Sequence, residues 1–373
     1  MTESIDRRQF LGLMIAAGFA PRLLATPTAN REFWVSAQGM TGDSFGVTAF
    51  DEHKHVTESA LSGFRGHGMA LNPLRPQSVI MFARRPGYQG VEFDLLSGRI
   101  TRRFHVADNR TLSGHGCFSR DGKRLYTAEV DSTTGMGKIG VRDSRDYRLL
   151  HEIDSFGIGP HEIRLMPDGN TLVVANTGII TRPQTGRRGL NLESMDSSLA
   201  YIDLASGKLR EQQRVTEAKA SIRHLDVASD GTVAIAMQVQ REAMTDHRCV
   251  PLAGVHQPGQ PVRLLDKPEM VIEKMRDYME SIAINNRTRI VGSTSPRGNL
   301  AVFWHMDSGK FAGYHQFHDV SGMTITRDQR HFVISNSLGE LRQLDARTLQ
   351  EDRASRQKLP GIHWDNHMIT AAI

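Results

Sequence analysis

The amino-acid sequence predicts an all-β chain folded as a single seven-bladed β-propeller, on three observations. Short strand-like runs follow one another with almost no helical periodicity. Asp-Gly turns recur at Asp121-Gly122, Asp168-Gly169 and Asp230-Gly231. A four-strand unit repeats along the chain, each copy beginning at a histidine or a serine.

In chain order, apolar or alternating runs at 33–36, 46–50, 69–71, 79–82, 90–94, 124–128, 139–142, 172–175, 199–203, 233–237, 300–304 and 331–335 read as strands. Residues alternating at period two present one face to a core, and β-branched and aromatic side chains suit that surface. Alignment on the turns exposes the unit. CFSRDGKRLYTAEV, RLMPDGNTLVVANT, DVASDGTVAIAMQV and TITRDQRHFVISNS match at its front; FDLLSGRI, IDLASGKL and WHMDSGKF match at its back. Four strands in 40 to 63 residues make a sheet too small to bury both faces alone, so it must stack on its own copies. That is a propeller blade, and the unit resembles the YVTN-like repeat.

Unit starts fall at His67, His115, His161, His224, Ser281, Ser321 and His367. The last has no room for a blade after it, and the N-terminal strands between residues 33 and 60 lack an innermost partner. Residues 363–373 are therefore expected to enter the N-terminal blade and close the ring, so that residues 31–373 form one domain without a free edge. Two segments depart from the repeat. Residues 268–279 place Met270, Ile272, Met275 and Met279 on one face of a short helix. The insertion NTGIITRPQTGRRGLNLESMDSS at 176–198, with Arg182, Arg187 and Arg188, is longer than a hairpin needs, and such loops are more often functional than ornamental. Asp43, Asp51, Asp94, Asp203 and Asp307 read as turn formers, and His247 and His256 as solvated loop residues.

Composition narrows the function classes. The 373 residues are 39% hydrophobic with 34 glycines, which fits a turn-rich globular chain with a sizeable core. The net charge is +5, but Lys and Arg are dispersed and no aromatic pattern for base stacking accompanies them, so nucleic acid is not implied. Two cysteines, Cys117 and Cys249, allow one disulfide and exclude a disulfide framework. Residues 1–25 read as a twin-arginine signal peptide: Arg7-Arg8 precedes an apolar run from 11 to 20 that is too short to span a bilayer, with cleavage expected near Ala25. The mature protein is then periplasmic and has no membrane span.

GHGMAL, FARRPG, GHGCFSRDG, KIGVRD, GIGPHEIRLMPDGNTLVVANTGI, TGRRGLNLESMDSSLAYID and SIRHLDV together resemble the bacterial family called domain of unknown function 1513. The resemblance covers nearly the whole exported chain. It implies a propeller exported by the twin-arginine route, and a genomic setting near imelysin-type and haem-containing proteins that points toward iron. It implies no activity.

The innermost strand of every blade lines the channel, so the residues that begin them share one channel mouth. In order around the ring these are His367, His67, His115, His161 and His224, then Ser281 and Ser321. Five converging imidazoles suit Fe, Cu or Zn, with Glu162 as an added carboxylate. Arg65 and Arg223, each close before a unit-start histidine, suit an anionic ligand instead, as do Arg187 and Arg188 on the insertion. A third reading stays open: in WD-repeat propellers a Gly-His pair before the inner strand bonds within its blade and binds nothing. Met69 and Cys117, two residues beyond a unit-start histidine, read as core between blades. No Gly-x-Ser-x-Gly, His-Glu-x-x-His or phosphate-loop motif is present, and without Cys-x-x-Cys-His no c-type haem attaches. A lactonase-like or metal-dependent hydrolase using Glu162 or His161, and a scaffold docking a periplasmic protein partner through the loop face, remain alternatives.

Overall fold

Strands form wherever the sequence alternates, and they assemble into seven antiparallel four-stranded sheets among the described residues. The computed structural model describes residues 31–39, 44–51, 56–186 and 188–373. The paired arginines Arg7 and Arg8, the cleavage position near Ala25, Asp43 and Arg187 lie outside them. In chain order, the innermost strands of blades 1 to 6 are Gly66–Asn72, Arg110–Phe118, Pro160–Leu165, Ala220–Val227, Ile282–Asn285 and Val320–Ile325. Blade 7 mixes the two chain ends: His363–Ala372 is innermost and pairs with Glu32–Gly39, followed by Phe45–Asp51 and Val56–Leu61. Each innermost strand touches the next, and the last returns to the first. The ring is closed as expected.

Apolar clusters fill the spaces between neighbouring blades. Cys117, Tyr126, Ile163 and Leu172 meet between blades 2 and 3, while Phe50, Val333, Trp364 and Met368 meet between blades 6 and 7. Met69 and Cys117 belong to such clusters, as soft apolar residues between sheets should. The repeated Asp-x-x-Ser-Gly turn has a simple cause. Asp94 and Asp203 each accept a 2.7 Å hydrogen bond from the backbone N–H three residues on, and the glycine that follows takes a positive φ of 65° (Gly98) or 69° (Gly207). Asp307 differs, since its carboxylate accepts from Arg289 Nη2 at 2.7 Å.

Blade 2 also holds a buried ion pair. Arg142 Nη2 donates to Glu129 Oε1 at 2.6 Å with both side chains almost wholly enclosed, and the guanidinium lies 4.8 Å from the Phe104 ring centroid. Removing one partner leaves the other charge buried alone. Glu129→Ala is therefore expected to cost roughly 3–5 kcal/mol in urea denaturation, well beyond a surface pair; a loss under about 1 kcal/mol would contradict this.

Two expectations need correction. The helix is shorter than 268–279, running Glu269–Lys274; Ile272, Met275 and Met279 are buried as expected, but Met270 is exposed and Val271, which shares a face with Met275 at spacing four, is buried in its place. His256 is not solvated. It ends the strand Ala253–His256, pairs opposite Val233 and is 1% exposed, with Nδ1 2.6 Å from Tyr201 Oη, so the stretch after Gln240 returns to the sheet sooner than a loop reading allows. Cys117 and Cys249 do not pair. No helix among the described residues is long and apolar enough to cross a membrane.

Candidate functional site

Every unit-start histidine sits at a break in strand register. Pairing with the next strand of the blade shifts between Gly66 and Met69, Leu112 and Gly116, Pro160 and Ile163, and Ile222 and His224; in blade 7 it shifts opposite the stretch containing His367. A bulge re-aims a side chain that regular pleating would point between blades. Here five bulges bring His67, His115, His161, His224 and His367 together, all buried. They do not stand as an open circle at the mouth. Their centroids lie 4.5–6.1 Å apart in the contacts they make, so the imidazoles pack on one another as a layer across the bore.

The glycines flanking two of these histidines make that packing feasible. A Cβ on Gly68 would come 2.5 Å from His115 Nδ1, and a Cβ on Gly114 would come 2.5 Å from His67 Cδ2. Each Gly-His-Gly thus supplies one imidazole and clears space for its neighbour's. GHGMAL and GHGCFS are two halves of one contact.

Two histidines are hydrogen-bonded at Nδ1, and a third has its Nδ1 near a carboxylate. His224 Nδ1 lies 3.1 Å from Glu162 Oε2, His115 Nδ1 lies 3.8 Å from Glu162 Oε1, and His367 Nδ1 lies 2.9 Å from Ser281 Oγ. Arg164 Nη2 holds the other side of Glu162 at 2.9 Å from Oε1. A carboxylate behind an imidazole fixes its tautomer and aims the opposite nitrogen, as outer partners of metal ligands do. His67 Nε2 and His161 Nε2 face each other at 3.4 Å. An ion with tetrahedral bonds of about 2.0–2.1 Å places its ligand nitrogens about 3.3 Å apart, close to that separation. One ligand atom from each of His67, His115, His161 and His224 falls within 4.8 Å of the others, so modest imidazole rotations would close the set. His367 flanks these four.

Electrostatics suits a cation. Burial, followed by repulsion among the imidazoles, holds His67, His161 and His367 well below the ordinary histidine range; burial lowers His224, and brings His115 down to about 3. All are neutral at pH 7, which leaves lone pairs for a metal. His67 Nδ1, His115 Nε2, His161 Nδ1 and His367 Nε2 are buried with no hydrogen-bond partner among the described residues. Each such atom carries a desolvation cost of about 1–3 kcal/mol. A within-blade structural role would satisfy these nitrogens rather than strand them. Glu162 stays ionised: burial pushes its carboxyl up, but His115, Arg164 and His224 outweigh this and hold it well below the usual range. A general base poised near neutral pH needs the opposite shift.

The layer divides the channel. Along the inner strands of blades 1, 3, 4 and 7, residues up to the histidine line one cavity of about 570 Å³. Residues beyond it, with Met69 and Cys117 among them, line a second cavity of about 450 Å³. Arg65 and Arg223 stand in the wall of the first; Arg65 Nε donates to Asp365 Oδ2 at 2.6 Å, and Arg223 is buried beside His224. Arg188 is exposed on the insertion, outside that wall. Sequence reasoning missed Arg84, Arg85, Arg297 and Glu280, which complete the wall. The Arg-Arg pair in FARRPG was a usable signal; Glu280, directly before the unit-start Ser281, was another.

The family model described as protein of unknown function, DUF1513, matches residues 62–371. No curated protein matches the chain. Among solved structures it is similar to Kuenenia stuttgartiensis Hydrazine Synthase, with a TM-score of 0.61 and 16% identity over 79% of this chain and 90% of that one. At that identity the likeness concerns the fold alone.

Proposed function

Because the chain belongs to the DUF1513 family, which brings no activity with it, we propose a function from the pocket itself: an exported, periplasmic propeller that binds a transition metal in its histidine layer and serves iron or copper handling. One observation carries this reading. Four neutral imidazoles converge within 4.8 Å, and buried ring nitrogens among them lack protein partners. An all-imidazole set suits the late first-row metals, copper and zinc included, and Fe(II). Bound metal would take one ring nitrogen from each of the four, Glu162 would hold His224 and His115, and Ser281 would hold the flanking His367.

Metal analysis of protein exported through its own signal tests this. A stoichiometric transition metal is expected. A folded protein that neither retains metal nor takes up Fe(II), Cu or Zn contradicts it. Glu162→Gln removes the carboxylate charge behind His224 and His115 but keeps its shape, so metal should still bind with affinity lowered roughly 10–100-fold in competition with a chelator. Unchanged affinity would deny Glu162 that supporting role.

A further inference from the structure

The cavity on the arginine side of the histidine layer has a composition the metal reading does not require. Arg65, Arg84, Arg85, Arg223 and Arg297 all line it. Four acidic residues share the wall, Asp277, Glu280, Asp319 and Asp365, but two of them add little negative charge. Arg241, which is not a wall residue, holds Asp277 in a two-point pair at 2.6 and 2.9 Å. Glu280 is 3% exposed, and burial pushes its carboxyl up to about 8, so it is protonated at neutral pH. Five guanidinium groups thus share the wall with Asp319 and Asp365, and Asp365 pairs with Arg65 at 2.6 Å and with Arg84 at 3.6 Å. The wall carries more guanidinium than carboxylate groups.

His67, His161 and His224 form part of the same lining, so the arginine-rich wall leads onto the imidazole layer. At about 570 Å³ the space is in the range of small-ligand pockets. Several planar guanidinium forks in one wall match an anion with more than one charged end, and a protonated carboxyl supplies a donor that an ionised one would not.

We propose that this cavity binds a small polyanion, bearing carboxylate or phosphate groups, on Arg84, Arg85, Arg223 and Arg297, with its inner end against the histidine layer. In metal-loaded protein that inner end would stand beside the histidines that hold the metal; only this last step rests on the metal reading. The protein is thereby suited to a metal presented as an anionic chelate.

Calorimetric titration of citrate and of pyrophosphate into metal-free, full-length protein tests the anion site by itself. One-to-one binding that weakens as salt rises is expected for at least one of them, and which one binds identifies the charged group. Arg85→Gln and Arg297→Gln should each weaken it tenfold or more, while Arg188→Gln, outside the wall, leaves it unchanged. Arg223→Gln should do the same, but Arg223 is buried, so the partly exposed Arg85 and the exposed Arg297 carry the test if that variant misfolds. Glu280 faces Arg84 and Asp365, with Tyr278 and Asp319 nearby. Affinity should therefore fall as pH rises through about 8, and Glu280→Gln should flatten that fall.

Failure of both anions to bind, or binding indifferent to Arg85→Gln and Arg297→Gln, overturns the proposal. Anion binding by protein that holds no metal upholds it even if the metal reading fails. Binding that needs metal and ignores the arginines overturns it and leaves the metal reading standing.

Discussion

A His115→Ala/His161→Ala double variant is expected to lose its metal altogether while keeping the propeller fold. The two residues come from different blades, and each gives one ligand atom to the convergent set. Four-ligand structural sites hold metal with roughly 10–16 kcal/mol, so two of four ligands account for roughly half. That corresponds to about four to six orders of magnitude in affinity. The fold should survive because neither imidazole belongs to the apolar clusters between blades. Metal should raise the melting temperature of the unmodified protein and leave that of the variant unchanged. If the variant retains metal, the layer is not where it binds. If the variant instead fails to fold with or without metal, the histidines serve the architecture.

The second large effect is expected at the closure. Deleting residues 363–373 should abolish the folded state, not merely lower its stability. His363–Ala372 pairs with Glu32–Gly39 along nearly its whole length, and its loss leaves that strand with an open edge on the bore side. Trp364 is buried against Phe50, with centroids 5.2 Å apart, and Met368 packs in the same cluster. Full burial of such side chains contributes about 1.5–3 kcal/mol each. The truncation also removes the Asp365 pairs to Arg65 and Arg84, and the contacts that join blades 6 and 1 through blade 7. Together these approach the whole stability of an ordinary domain, about 5–15 kcal/mol. Circular dichroism and proteolysis check the outcome; a truncated chain with native strand content and protease resistance would contradict the closure's energetic weight. Supplying residues 363–373 as a peptide should restore some order, since the edge it fills has no other occupant among the described residues.

The blades were legible in the chain because their turns use residues with local causes: Asp94 and Asp203 bond the backbone three residues on, whatever the tertiary context. Closure was legible by counting, since the strands from 33 to 60 lacked one partner and the C-terminus offered one. The convergence of His67, His115, His161, His224 and His367 followed from the same count. Their arrangement did not. An open circle at the mouth assumes regular pleating, whereas bulges at the histidines turn the imidazoles inward until they touch. Bulges depend on how two strands pair, which no single strand's residues record. Glu280 and Arg84 were only partly legible: the Arg-Arg pair and the position before Ser281 mark them, but only the ring brings them to one wall. His256 reads as a loop residue in the sequence because a four-residue strand after a long loop leaves too short a pattern to see.

X-ray absorption spectroscopy of metal-loaded, full-length protein tests the histidine layer most directly, because it reads the ligand atoms themselves. Three or four nitrogen scatterers at about 2.0–2.1 Å, with the outer features of imidazole, are the expected result. A shell of oxygen alone, or a spectrum the same in the His115→Ala/His161→Ala variant, would contradict the account.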